Sequence, residues 1–169
     1  VLIRKAEFTD EIMVVLVTAS PVFPSKRNFV EALRREHPEI TTVVQNVNDR
    51  TDSLVLGSKY QVLWGKGYIV DRLCGCSFKI SPGSFYQVNP IQAQKLYEKA
   101  IELADLTGKE TVVDAYCGTG TIGMIAAKKA GKVFGVESNP DAVRDAVGNA
   151  KANDVKNIRF YREDAGHFL

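Results

Sequence analysis

One decapeptide constrains this chain more than any other stretch. Asp114-Ala115-Tyr116-Cys117-Gly118-Thr119-Gly120-Thr121-Ile122-Gly123 follows a Val-rich run and opens an apolar helical pattern. Glycines at such a turn let the backbone approach a ligand, and the N–H groups of the next helix point outward there. Gly118, Gly120 and Gly123 satisfy G-x-G-x-x-G, which alone is a weak signal. Context strengthens it: a strand precedes, a helix follows, and Glu137 closes the next strand, where a carboxylate can accept both hydroxyls of a ribose. The ligand is therefore expected to carry an adenosine-like ribose.

The flanking pattern alternates helix and strand. Asn89-Pro90 opens an amphipathic helix to about Leu106, with Leu96, Ala100, Leu103 and Ala104 expected to form its apolar face. A strand at Thr111 to Tyr116, a helix at Thr121 to Lys129 and a strand at Lys132 to Glu137 follow. A helix at Pro140 to Asn153 and a strand at Ile158 to Tyr161 complete the series. This βαβαβ run is the first half of a doubly wound parallel sheet.

Residues 1–80 read differently. Strands are expected at Val1 to Ala6, Glu11 to Ala19, Thr41 to Gln45 and Gln61 to Trp64. A helix at Ser25 to Glu36 has Ser25 as candidate N-cap, an apolar face of Phe29, Val30 and Leu33, and Pro38 as its stop. The organisation is a small α+β domain over 1–80 and an α/β unit over 81–169. Val1 in place of Met, and an end at Leu169 in mid-pattern, suggest a piece of a longer protein.

Composition excludes several classes. Hydrophobic residues at 45% and charged residues at 25% are globular averages, and a net charge of +2 does not by itself argue for nucleic acid. No apolar run approaches ~18 residues, so no membrane-spanning helix is expected. Three cysteines, two of them in Cys74-Gly75-Cys76, do not make a disulfide framework, and a cytoplasmic location follows as the expectation.

Asp114 bears on the choice of ligand. A carboxylate repels a pyrophosphate but suits the ammonium and sulfonium of S-adenosylmethionine. It can equally brace the turn by accepting backbone N–H bonds, and both roles stay open. Tyr116 can stack on a ligand, although an aromatic at a strand end more often joins the core. Asp164, beyond the third strand, can bind an adenine amino group or sit as a solvated loop acid.

Four segments carry a family resemblance: FYQVN (Phe85 to Asn89), DAYCGTGTIG (Asp114 to Gly123), GVESNPDAV (Gly135 to Val143) and NAKANDVKNIRFYREDA (Asn149 to Ala165). Together they resemble the RNA uracil-5-methyltransferases, S-adenosylmethionine-dependent enzymes that make 5-methyluridine in transfer or ribosomal RNA. F-x-Q-V-N upstream of D-x-[FY]-C-G-x-G is a specific combination. The resemblance covers Ser81 to Ala165 well, and residues 1–80 look like that family's central domain.

The resemblance implies the first half of a Rossmann-like class I methyltransferase sheet, with S-adenosylmethionine as cofactor and RNA as partner of the full-length protein. It implies cofactor contacts at Gln87, Tyr116, Glu137, Thr121 and Asp164, with Asp114, Gly118 and Gly120 forming the loop beneath the methionine end. Gln87 suits that end on its own chemistry, since an amide offers both donor and acceptor to a zwitterion. No catalytic residue is implied within the chain. The family's nucleophilic cysteine and its general base lie in downstream motifs that these residues do not contain, so the chain alone is expected to be inactive. Cys117 matches the family's loop cysteine, Cys74 and Cys76 read as structural, and one cysteine pair cannot hold an iron–sulfur cluster.

Two alternatives share the glycine loop: a methyltransferase for another RNA base, and a nicotinamide-dinucleotide module. Lys26, Arg27, Arg34 and Arg35 form a candidate phosphate-facing stripe on the first-half helix. The first strand of the βαβαβ run should expose an edge through which the chain self-associates, an expectation that a strictly monomeric elution profile would contradict.

Overall fold

The structure, a computed structural model, describes residues 1–168. It divides into two compact units, residues 1–70 and residues 71 onward.

In the first unit the strands β1 (Leu2–Lys5) and β2 (Ile12–Thr18) are followed by helix α1 (Lys26–Glu36) and strands β3 (Ile40–Val47) and β4 (Lys59–Trp64). The sheet order is β1-β2-β3-β4, with β2 and β3 parallel and the outer pairs antiparallel. Parallel pairing of consecutive strands requires a crossover, which α1 supplies. Val30 on α1 packs with Val14, Leu16, Ile40 and Val43, and Leu33 joins the edge of that cluster. Phe29, expected on the same face, is 42% exposed and rests against Phe23. Ser25 occupies the N-cap position of α1, but its side chain makes no capping bond because its backbone is left-handed (φ 53°).

Strands β5 (Ile69–Leu73) and β6 (Cys76–Ile80) form a hairpin that the sequence reading did not assign. Its two-residue turn, Cys74-Gly75, has φ values of 48° and 70°. Positive φ at both central residues suits a hairpin turn, but Cys-Gly lacks the Asn-Gly or Asp-Gly signal that announces one. The division between units falls inside β5, so residues 71–80 group with the second unit instead of with the first eighty residues.

The second unit continues with α2 (Pro90–Leu103), β7 (Thr111–Ala115), α3 (Thr121–Ala127), β8 (Lys132–Glu137), α4 (Pro140–Ala152), β9 (Ile158–Arg162) and the short α5 (Ala165–Phe168). Strands β7, β8 and β9 are parallel and adjacent in that order, with β7 at one edge of the described sheet. The expected half of a doubly wound sheet is present. Its core joins Phe78, Tyr97, Met124, Val133 and Ile158.

Helix α2 departs from expectation. It begins at Pro90, capped by the Asn89 side chain, but it buries Ala93, Tyr97 and Ile101. Leu96 and Leu103 are 64% and 73% exposed, and Ala104 lies outside the core as well. The helix carries two stripes of apolar residues, and the one at i, i+4, i+8 faces the core beside α3.

Candidate functional site

The site sits at the carboxyl ends of β7 and β8, where open α/β sheets bind their ligands. Phe160 of β9 sets the floor of the glycine loop. A Cβ at Gly120 would lie 2.8 Å from its ring, and one at Gly135 in mid-β8 would lie 2.5 Å from it. Glycine at both positions therefore lets the loop settle on the sheet, and Phe160 is a determinant that no reading of the loop alone identifies.

Asp114 braces the turn. Its Oδ2 accepts the Gly123 N–H at 2.9 Å, tying the end of β7 to the first turn of α3. Burial pushes its carboxyl up to about 6, helped by the nearby negative charge of Glu137 and opposed by the Gly123 bond. Glu137 ties the other side. Its Oε2 accepts the Gly118 N–H at 3.1 Å and its Oε1 the Asn139 N–H at 2.8 Å. The Ser138 hydroxyl also reaches Oε1, at 3.4 Å, and because a carboxylate has about four acceptor sites Glu137 keeps room for a further hydroxyl donor.

Tyr116 stands between these braces. It is 75% exposed, so it is not a core aromatic, and its backbone is left-handed at φ 65°. A non-glycine residue there costs of order 1–3 kcal/mol and persists only where its surroundings enforce it. Thr119 adds to that cost, because its Oγ1 is buried without a hydrogen-bond partner among the described residues. In front of the loop, a Cβ on Gly118 would meet nothing within 4 Å among the described residues. An open face, an exposed strained aromatic and a carboxylate with acceptor capacity left fit an adenosyl ligand with a charged amino-acid end.

The other expected residues spread more widely. Thr121 begins α3, directly after the loop. Asp164 follows β9, and its Oδ1 accepts the Gly166 N–H at 2.9 Å, so it caps α5 in addition to any ligand role. Gln87 is half-buried, and its amide donates to the Tyr97 hydroxyl of α2 at 3.3 Å.

A ladder on α4 links the segment before Gln87 to the loop, and the sequence reading missed it. Asn149 accepts the Lys79 N–H at 2.7 Å and donates to the Thr119 carbonyl at 3.2 Å. Asn153, one turn on, accepts from the Ser77 N–H at 2.8 Å and donates to the Ser77 carbonyl at 2.7 Å. Asp145, one turn earlier, accepts the Ser84 hydroxyl at 2.7 Å and pairs with Lys79 at 3.3 Å. The spacing i, i+4, i+8 on a helix was the available signal.

Neither Cys74 nor Cys117 is a poised thiolate. Burial pushes the Cys117 thiol up to about 12, with Asp114 and Glu137 adding to it, and burial likewise raises that of Cys74. Cys76 is buried.

This is the Rossmann-like fold of the class I, S-adenosylmethionine-dependent methyltransferases. A family profile described as a methyltransferase domain matches residues 106–169. Two curated relatives carry the name uncharacterized RNA methyltransferase. One, from Oceanobacillus iheyensis, is 44% identical over 160 residues, covering 95% of this chain and 35% of its own length. The other, from Caldanaerobacter subterraneus, is 48% identical over 152 residues, covering 90% of this chain and 34% of its own. The chain thus spans about a third of the length of the relatives it matches. Among solved structures, the Pyrococcus abyssi tRNA (uracil-54, C5)-methyltransferase in complex with S-adenosyl-L-homocysteine superposes with a TM-score of 0.75. It is 31% identical, over 94% of this chain and 37% of that one. Among the described residues, no helix is long and apolar enough to cross a membrane.

Proposed function

We propose that the chain forms the S-adenosylmethionine-binding part of a cytoplasmic RNA methyltransferase that methylates C5 of uridine in transfer or ribosomal RNA. The observation that carries this reading is the conjunction of the braced glycine loop and Glu137 with the likeness to the P. abyssi uracil methyltransferase over 94% of the chain. The cofactor supplies a methyl group on a sulfonium. Glu137 holds the ribose through its remaining acceptor capacity and by displacing the long Ser138 hydroxyl contact, Tyr116 covers the adenosyl face, and the loop from Gly118 to Thr121 lies under the methionine end. Gln87 offers its amide to that end, and Asp164 accepts from the adenine amino group. The nucleophile for C6 of uracil is a cysteine outside these 169 residues, in keeping with the raised thiols of Cys74 and Cys117. The chain by itself is therefore inactive, and it self-associates through the outer edge of β7.

Thermal unfolding with S-adenosylhomocysteine, S-adenosylmethionine and NAD tests the reading. A ligand of the folded state at 100 times its dissociation constant adds about 2.7 kcal/mol, a shift of roughly 2–4 °C in a chain this size. The adenosyl sulfur ligands should raise the melting temperature and NAD should not. Stabilisation by NAD alone would overturn the proposal.

A further inference from the structure

The first unit carries a groove of about 400 Å³ between α1 and β4, away from the glycine loop in sequence and built from different chemistry. Lys26, Arg27, Glu31 and Arg34 line it from α1, and Gln61 and Trp64 line it from β4. Three cations thus face one carboxylate. Lys26 Nζ donates to Gln61 Oε1 at 3.1 Å, which holds its ammonium at the groove wall. The guanidinium of Arg34 lies 3.9 Å from the centroid of the Trp64 ring. Trp64 in turn rests on the apolar cluster around Val30 and Val43, so the cation sits on an anchored platform. Arg35, the fourth cation of the stripe expected from sequence, lies off the groove and pairs with Glu36 at 3.0 Å.

We propose that this groove binds single-stranded RNA, with phosphates neutralised by Lys26 and Arg27 and an unpaired base stacked at the Arg34–Trp64 pair. Cations that track a backbone beside a stacking platform are the two components of single-strand recognition, and guanidinium planes and aromatic rings both serve as platforms. A duplex does not offer an unpaired base to such a platform, and an acidic peptide would use the cations while leaving the stack idle. The inference rests on the RNA-methyltransferase reading and adds the surface on which the substrate lies.

Trp64 is the chain's single tryptophan, so its fluorescence reports on this groove and nowhere else. Titration of the full chain with oligouridylate should quench it saturably, whereas polyphosphate, which has the charge without the bases, should bind with little quenching. Lys26→Gln with Arg27→Gln should lower the slope of log affinity against log salt by about 1.4, at ~0.7 per phosphate contact on a single strand. Arg34→Lys keeps the charge but loses the planar face, and should weaken oligouridylate binding about fivefold to tenfold. Arg35→Gln should bind as the parent does. Absent binding, binding with silent Trp64 fluorescence, equal quenching by polyphosphate, an unaffected Arg34→Lys variant or preference for an acidic peptide would each overturn the proposal. The cofactor melting test is independent. If it succeeds while Trp64 stays silent, only the groove falls; if it fails, the methyltransferase reading falls with it.

Discussion

The glycine loop and the α1–β4 groove arrange charge in opposite ways. In the loop, Asp114 and Glu137 spend acceptor sites on backbone N–H groups of Gly123, Gly118 and Asn139, so their positions are set by the main chain. In the groove, Lys26 and Arg34 are placed by long side chains against Gln61 and Trp64. The first arrangement is rigid and carries strain at Tyr116; the second is adaptable and solvated. A small ligand with fixed geometry needs the former, because misplaced donors and acceptors lose affinity directly. A polymer of variable sequence tolerates the latter.

If that contrast holds, substitutions behind the loop should be costly. Asn149 is 1% exposed and bonds the Lys79 N–H and the Thr119 carbonyl. Asn149→Ala strands both groups, and should destabilise the chain by about 2–4 kcal/mol in chemical denaturation while weakening S-adenosylhomocysteine binding. A loss below ~0.5 kcal/mol would mean that the ladder does not support the loop.

Asp114 should give a pH signature with an unusual sign. Its folded-state carboxyl is raised from 3.8 to about 6, so the folded chain binds the proton more tightly than the unfolded chain does. The contribution of Asp114 to stability is therefore full below about pH 4, falls as pH rises from about 4 to 6, and is lost above that, a change of roughly 2–3 kcal/mol. Asp114→Asn should flatten this part of the profile, since an amide can still accept the Gly123 N–H. A parent profile with no fall across that window would contradict the burial-driven account.

Tyr116 gives the smallest effect on stability and the sharpest separation of roles. Tyr116→Gly relieves a left-handed backbone, and should stabilise the chain by up to about 1 kcal/mol while weakening S-adenosylhomocysteine binding. Calorimetric titration beside thermal unfolding distinguishes the two. A variant that gains stability and keeps its affinity would remove Tyr116 from the site.

Much of the second unit was legible in the sequence. Strands β7 and β8 are short apolar runs bounded by glycine or asparagine turns, and their helices open at Gly120 and Asn139, so period and punctuation agree. The hairpin of β5 and β6 was not, because Cys74-Gly75 carries no common turn signal. Helix α2 was located correctly but turned the wrong way: Leu96 and Leu103 are more apolar than Ala93, and composition favours the stripe that the fold leaves exposed. The stripe of four cations on α1 was likewise legible as a pattern, but not that Arg35 leaves it and Trp64 joins it.

The sequence by itself determined the strand–helix alternation from β7 to β9, the glycine turn and the acid that closes β8, since these follow from local backbone preference and spacing. Only the tertiary structure decided that Asp114 is a buried brace, that Tyr116 stands exposed and strained, that Phe160 floors the loop and that Asn149 joins it to β6. Those outcomes depend on which groups meet across 9 to 70 residues of chain, from Asp114 with Gly123 to Asn149 with Lys79. Desolvation and hydrogen bonding act on the neighbours that folding supplies, which chain adjacency does not specify.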